Sequence, residues 1–348
     1  MRILLYEDRT RGHGPIYLEY VRNALERAKI QTFTVTSDLW ARPLHLLREA
    51  RRSACDAIYL LTIDGKLSQM VCIAILAKLF SIKVIGNYYL YSRLRHGFSG
   101  FVWRTCLFLG IPDGLFISDP QLETDPESGA YPQRVRYVPD TYDPFAFELI
   151  AQHDARTSLS LPDEAVTVLM FGELSVRKGV DQVLLMCEQI GLPDDLHLVL
   201  AGRIAPDTRP LLERVCQQHP RIFVTDRYIE EGEISRFFCA ADFVLCPYPR
   251  YFDVSSGTAT RALAAGRPLI VPGHGMLGSY VPRHDIGVTY ETENIHSMNE
   301  ALQEACRLRK TEWYQAASER AQNLAKGRTL ERYSNALLSG ITSFLKSK

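Results

Sequence analysis

The sequence predicts an α/β protein of two parallel sheets flanked by helices, and three observations carry that prediction. Apolar strand-like runs alternate with helix-spaced segments from the first residues onward, as in sheets built by helical crossovers. The length, 348 residues, is about twice that of a typical domain and supplies two hydrophobic cores. Between Pro139 and Glu164 the pattern dissolves into Pro, Asp and Ser with one short helical piece, then resumes.

In the first half Arg2–Tyr6 reads as a strand, Gly12-His13-Gly14-Pro15 as the loop after it, and Ile16–Ala28 as a helix. Further strands are expected at Thr32–Thr36, Ala57–Thr62, Lys83–Asn87, Gly114–Ser118 and Val135–Val138, with helices between most of them. The longest apolar stretch, Met70 to Gly86, is interrupted by Lys78 and Lys83 and is too short to span a bilayer. It reads as a buried helix followed by a strand. The second half predicts strands at Val166–Phe171, His197–Ala201, Ile222–Thr225, Phe243–Cys246, Pro268–Val271 and Gly287–Thr289. Lys310 to Leu345 is helical apart from a break near Gly327. Residues 1–150 are therefore one Rossmann-like unit, 160–325 a second, and 326–348 a helix able to pack back on the first.

Composition removes several classes of function. Hydrophobic residues at 46% and charged residues at 23% are globular values. Forty Lys+Arg cancel forty Asp+Glu, so no whole-chain field favours nucleic acid. Eight cysteines without a CxxC pair, most of them in apolar stretches, read as free buried thiols in a reducing compartment. Glu7 and Asp8 arrive before a signal-peptide core could form, so the expectation is a cytoplasmic chain. Charge is uneven: Arg42 to Arg104 holds ten Lys/Arg against three acids, interleaved with Tyr88, Tyr89, Tyr91, Phe98, Phe101 and Trp103, and Phe108 follows. Such a mixture suits anionic head groups at the inner membrane face, and equally a solvated basic helix over an aromatic core.

Ligands of open parallel sheets bind beyond the carboxyl ends of the strands. Two loops there draw attention. Phe171-Gly172-Glu173-Leu174-Ser175-Val176-Arg177-Lys178-Gly179 leaves a strand and enters a helix with Lys178 at its start. Ser255-Ser256-Gly257-Thr258 opens another helix, where small side chains and unpaired amides form a phosphate cradle or an ordinary N-cap. Two anion-suited helix starts in one half point to a diphosphate ligand. No Asp-x-Asp triplet and no HxH or HxxxH spacing indicates a metal. Gly12-His13-Gly14 lacks the third glycine of a dinucleotide fingerprint, because Tyr17 stands there, and no cofactor is expected.

Gly172-Glu173-Leu174 with Lys178-Gly179, then Leu200-Ala201-Gly202, Glu233-Ile234, Ala240-Ala241-Asp242, Pro247 and Ala262-Leu263-Ala264-Ala265-Gly266-Arg267-Pro268 resemble, in order and spacing, the donor half of family-4 retaining glycosyltransferases of the GT-B fold. Phe116-Ile117-Ser118 and Tyr137-Val138-Pro139 extend the likeness faintly into the first half. The resemblance implies two Rossmann-like domains facing an interdomain cleft, residues 160–325 binding a nucleotide sugar and residues 1–150 the acceptor. It implies that Lys178 neutralises the donor diphosphate and that Ser255, Ser256, Gly257 and Thr258 cradle it, with Gly172 and Glu173 beside them.

Two departures stand out. The family's arginine in the first loop is Glu173 here, and its two glutamates eight positions apart become Asp253 and Arg261. The second of these holds ribose in the family, so the usual ribose clamp is altered, and Arg261 is expected to meet a phosphate instead. Asp253 is left to orient the sugar or to hold Arg261. On the acceptor side the family's histidine after the fourth strand is replaced by Asn87, Tyr88 and Tyr89, with His96 further on. His13, between Gly12 and Gly14, is a candidate to orient an acceptor hydroxyl, and His274 is a turn residue or a further site candidate.

The expectation is a metal-independent glycosyltransferase that moves a sugar from a nucleotide donor to a glycan or lipid-linked acceptor, with retention implied by the resemblance. Lys178, Asp253 and His13 are its candidate catalytic residues. A non-catalytic binding or scaffold protein and a sugar-nucleotide epimerase are the alternatives.

Overall fold

A computed structural model describes residues 1–9, 13–89, 97–118, 134–142, 147–252 and 255–346. Gly12, His96 and Asp253 lie outside them, and the His13 side chain is likewise not described. The chain forms two compact units. The first joins Met1–Pro139 to Leu330–Lys348, and the second is Asp140–Thr329.

In the first unit, β1 (Arg2–Tyr6), β2 (Gln31–Val35), β3 (Ala57–Leu60), β4 (Lys83–Asn87), β5 (Gly114–Ile117) and β6 (Val135–Tyr137) make a parallel sheet ordered β2-β1-β3-β4-β5-β6. The connecting helices are α1 (His13–Arg27), α2 (Pro43–Arg52), α3 (Leu67–Lys78) and α4 (Gly97–Phe108). β1, β3, β4 and β5 are buried almost throughout because both faces of the sheet are covered, which is why they read as continuous apolar runs.

A last helix of this unit comes from the far end of the chain, Leu330–Lys346. It packs Tyr333, Leu337, Ile341 and Phe344 into the core shared by Ile3, Leu5, Val21, Leu25 and Phe116. Its approach needs two glycines: a Cβ on Gly340 would lie 2.3 Å from the Phe116 ring, and one on Gly114 would lie 2.4 Å from the Phe344 ring.

In the second unit, β7 (Val166–Phe171), β8 (Leu196–Ala201), β9 (Ile222–Thr225), β10 (Phe243–Leu245), β11 (Leu269–Pro272) and β12 (Gly287–Tyr290) form a parallel sheet ordered β12-β11-β10-β7-β8-β9. Its helices, in chain order, are α5 (Gln152–Ser158), α6 (Val180–Gln189), α7 (Arg209–Gln218), α8 (Glu231–Ala240), α9 (Gly257–Ala264), α10 (Gly275–His284), α11 (Ile295–Leu308) and α12 (Glu312–Ala325). The helix Leu330–Lys346 is then α13.

The segment read as an interdomain connection belongs to this second unit, where Phe147, Ala155 and Leu161 enter its core. Arg156 and Arg309 grip the buried Asp242 at 2.7 and 2.6 Å, and the Thr167 amide donates to the same carboxylate at 2.8 Å. The second unit is thus pinned by an ion cluster on the buried Asp242 that joins α5, β7 and the end of α11.

Three expectations change. The apolar stretch read as a buried helix is α3, but its Ile75 and the Leu79 and Phe80 that follow it are exposed. Tyr88 and Trp103, counted in the basic-aromatic stretch, are core residues that stack at 6.3 Å. Cys72 is exposed, whereas Cys55, Cys187, Cys239, Cys246 and Cys306 are buried free thiols. Among the described residues no helix is long and apolar enough to cross a membrane.

Candidate functional site

The site is built where β7 and β10 end. Gly172 closes β7 with φ +108°, and the short 3-10 turn Val176–Lys178 leads into α6 through Gly179 at φ +75°. A Cβ on Gly179 would lie 1.7 Å from the Pro247 carbonyl oxygen. Only glycine combines this conformation with that approach, so the turn carrying Lys178 is pressed against the loop after β10.

The contact delivers the Lys178 ammonium to Tyr248. Nζ donates to the phenol oxygen at 3.3 Å and lies 5.0 Å from the centre of the Tyr248 ring and 5.9 Å from that of Phe252. The Tyr248 oxygen is in turn 2.5 Å from Ser256 Oγ. Either hydroxyl can donate in that contact. Ser256 caps α9, accepting the Ala259 amide at 3.3 Å. One hydrogen-bonded chain, Lys178 to Tyr248 to Ser256, therefore joins the two helix starts picked out in the sequence. No bond to the Gly257 or Thr258 N–H is found among the described residues, so both amides are available at the α9 start.

The electrostatics of this cluster are unusual. Burial lowers the Lys178 pKa to about 8. Burial pushes the Cys246 thiol up to about 11 and the Tyr248 phenol well above its ordinary 10, so both stay neutral near pH 7. Among the described residues no carboxylate lies within ion-pair distance of Lys178: Glu173 points out to solvent and pairs with Arg177 at 3.2 Å. A part-buried cation with no carboxylate at ion-pair distance among the described residues, beside unpaired amides at a helix start, suits an anion.

Arg261 has a carboxylate partner. Its guanidinium donates to Glu231 of α8 at 3.1 Å and, weakly, to the Gly257 carbonyl at 3.5 Å, and the residue is 8% exposed. Nε has no partner among the described residues. Arg261 is thus held by a carboxylate thirty positions earlier. His274 bridges Thr292 at 2.8 Å and the Pro249 carbonyl at 3.2 Å, which ties the β10 loop to the end of β12. Ser255 is half-exposed and Thr258 buried beside Ser256. The run Ala262–Pro268 packs: α9 is buried, and Arg267 donates to the Phe238 and Cys239 carbonyls.

In the first unit the carboxyl ends of β1, β3 and β4 gather Glu7, Thr62, Asn87 and Tyr89. Glu7 is buried, accepts the Thr62 hydroxyl at 2.6 Å and the Arg9 amide at 2.9 Å, and has its pKa raised by burial. Gly14 is buried against Glu7 and Arg9. Asn87 accepts the Tyr59 hydroxyl at 2.7 Å and donates to the Tyr89 oxygen at 3.3 Å. Tyr88, expected on the acceptor side, is 1% exposed and belongs to the core, whereas Tyr89 is half-buried at the strand end. Glu7 and Tyr248 were not singled out in the sequence; a strand-end position was the signal available for each.

Residues 165–307 match the family model described as "Glycosyl transferases group 1". A GDP-mannose:glycolipid 4-beta-D-mannosyltransferase of Xanthomonas campestris pv. campestris is 30% identical over 105 residues, which is 30% of each chain. An uncharacterized glycosyltransferase of Methanocaldococcus jannaschii is 23% identical over 173 residues, 47% of this chain and 43% of its own. The chain thus covers less than half the length of these curated relatives. Among solved structures, a sucrose-phosphate synthase of Thermosynechococcus elongatus superposes with a TM-score of 0.76 at 16% identity, over 100% of both chains. The Anabaena protein HepE, in complex with UDP and glucose, gives 0.70 at 14% identity over 99% of this chain and 100% of its own. The whole chain therefore has the two-domain α/β architecture of the GT-B fold, and residues 165–307 of its second unit are similar to group 1 glycosyltransferases.

Proposed function

We propose that the protein is a glycosyltransferase that takes a sugar from a nucleoside-diphosphate donor bound in the second unit and passes it to a glycan or lipid-linked acceptor. One observation carries the reading: the part-buried Lys178, with no carboxylate at ion-pair distance among the described residues, is tied through Tyr248 to the open N-terminus of α9. As the glycosidic bond breaks, the departing diphosphate gains negative charge, and a preorganised ammonium and two amides stabilise it at that moment. Retention is the stereochemical outcome we assign, with the leaving phosphate taking the acceptor proton and no protein nucleophile; a β-linked product from an α-linked donor, as in the name of the Xanthomonas relative, would be inversion and would overturn that assignment.

Glu7, Asn87 and Tyr89 mark the acceptor end of the first unit. The donor and acceptor named for the Xanthomonas relative make GDP-mannose and a glycolipid the first pair to try. Binding of GDP, UDP and ADP by calorimetry, followed by transfer from the matching nucleotide sugar with the anomer read by NMR, tests the proposal. Nucleotide binding without transfer favours a scaffold role, and conversion of the donor with no acceptor present favours an epimerase.

A further inference from the structure

The first unit carries a surface that sugar transfer does not use. The β1-to-β2 step runs one way across the sheet, and the later steps to β5 run the other way. Right-handed crossovers therefore put α1 on one face and α2, α3 and α4 together on the opposite face. The outer side of that three-helix layer is apolar. Ile75, Leu79 and Phe80 project from α3 and its end, and Phe101, Phe108 and Leu109 from α4 and its end; Leu79 is 75% and Phe108 83% exposed.

These residues form one patch. Lys78 at the end of α3 donates to the Leu109 carbonyl at 3.0 Å, and Arg51 at the end of α2 lies over the Phe80 ring at 4.6 Å. Leu44, Leu47 and Arg48 line an open groove with Arg51 and Phe80. Monomeric proteins seldom expose so many large apolar side chains together.

The charge around the patch identifies its occupant. Arg48, Arg51, Arg52, Lys78 and Arg104 are the basic residues of α2–α4, against the single acid Glu49, which is half-buried and paired with Arg52 at 3.0 Å. A two-fold contact between copies of the chain would bring like-charged rims together. An anionic bilayer takes both features: rings and leucines enter the head-group boundary while the guanidiniums and Lys78 stay at the phosphates. The helix ends that gather here lie at the amino edge of the sheet, opposite the Glu7 and Asn87 strand ends.

We propose that the outer face of α2–α4 seats the first unit on an anionic lipid surface. The proposal does not depend on sugar transfer, because binding is read without donor or acceptor. The intact protein is sedimented with vesicles of phosphatidylcholine alone and of equimolar phosphatidylcholine and phosphatidylglycerol. Binding to the second only, weakening as salt rises, is the expected result. Leu79→Ser with Phe108→Ser, and separately Arg48→Glu with Arg52→Glu, should each lower the partition coefficient by about ten-fold or more, with melting temperature unchanged because these side chains are exposed.

Binding that ignores anionic lipid content, or no binding by the wild type, overturns the proposal. So does a dimer, seen by light scattering, that these substitutions dissolve while vesicles are ignored. If either double variant misfolds, the salt and lipid dependence of the wild type still decides the matter.

Discussion

Replacing Lys178 by methionine should move stability and ligand affinity in opposite directions. Methionine keeps most of the stem that packs on Tyr248 and Phe252 and removes only the charge. Held at about 8 against an ordinary 10.5, chiefly by burial, the ammonium costs the folded protein about 3 kcal/mol. Lys178→Met should therefore leave the protein as stable as the wild type near pH 7, or more stable by about 1–3 kcal/mol.

The same change removes a charge-assisted bond to the diphosphate, worth about 1.5–3 kcal/mol, so nucleoside-diphosphate affinity should fall by roughly ten-fold to a hundred-fold. The depressed pKa also fixes a pH signature. Between about 8 and 10.5 the unfolded chain holds the Lys178 proton more tightly than the folded one, so wild-type stability should gain as pH rises across that window. Binding a phosphate restores the proton, so calorimetry there in buffers of different ionisation enthalpy should show proton uptake that the variant lacks. Urea melts and titration calorimetry measure all three quantities. A variant that loses stability while binding nucleotide like the wild type would refute the reasoning and make Lys178 a packing residue.

Other outcomes follow from the same geometry. Gly179→Ala should cost about 3 kcal/mol or more in urea melts and abolish nucleotide binding, because its methyl group has no room beside the Pro247 carbonyl. Arg261→Glu should destabilise the second unit by about 1–3 kcal/mol, since it sets a second carboxylate against Glu231, and it should not improve nucleotide affinity. Glu7 has a raised pKa, so its ionised form is the costly one: stability should fall as pH rises through the folded-state value, and Glu7→Gln should flatten that dependence in melts followed across pH. Transfer should survive EDTA, because cationic and amide donors stand where a metal would otherwise neutralise the diphosphate; activity lost to chelation and restored by magnesium would contradict this.

Much of the fold was legible because parallel strands covered on both faces become short β-branched or apolar runs. Arg2–Tyr6, Lys83–Asn87, Val166–Phe171 and Ile222–Thr225 are found where the pattern puts them, and the others within a residue or two at each end. The pattern fails where apolar does not mean buried. Ile75, Leu79, Phe101 and Phe108 sit in runs as apolar as any core helix yet face outward, while Tyr88, one residue before the half-exposed Tyr89, turns inward.

Site chemistry was legible in part. Lys178 and the Ser256–Thr258 turn were visible because helix starts after parallel strands have local signatures. The link between them was not, since Tyr248 meets Lys178 from seventy positions away and only the Gly179–Pro247 approach brings them together. The orientation of Arg261 depends likewise on Glu231, a residue of another helix.

A crystal structure of the protein with GDP or UDP shows directly where the diphosphate sits. A phosphate oxygen within hydrogen-bond distance of Lys178 Nζ and of the Gly257 or Thr258 amide is the expected result. A diphosphate seated elsewhere, with Lys178 still turned onto Tyr248 alone, would contradict it.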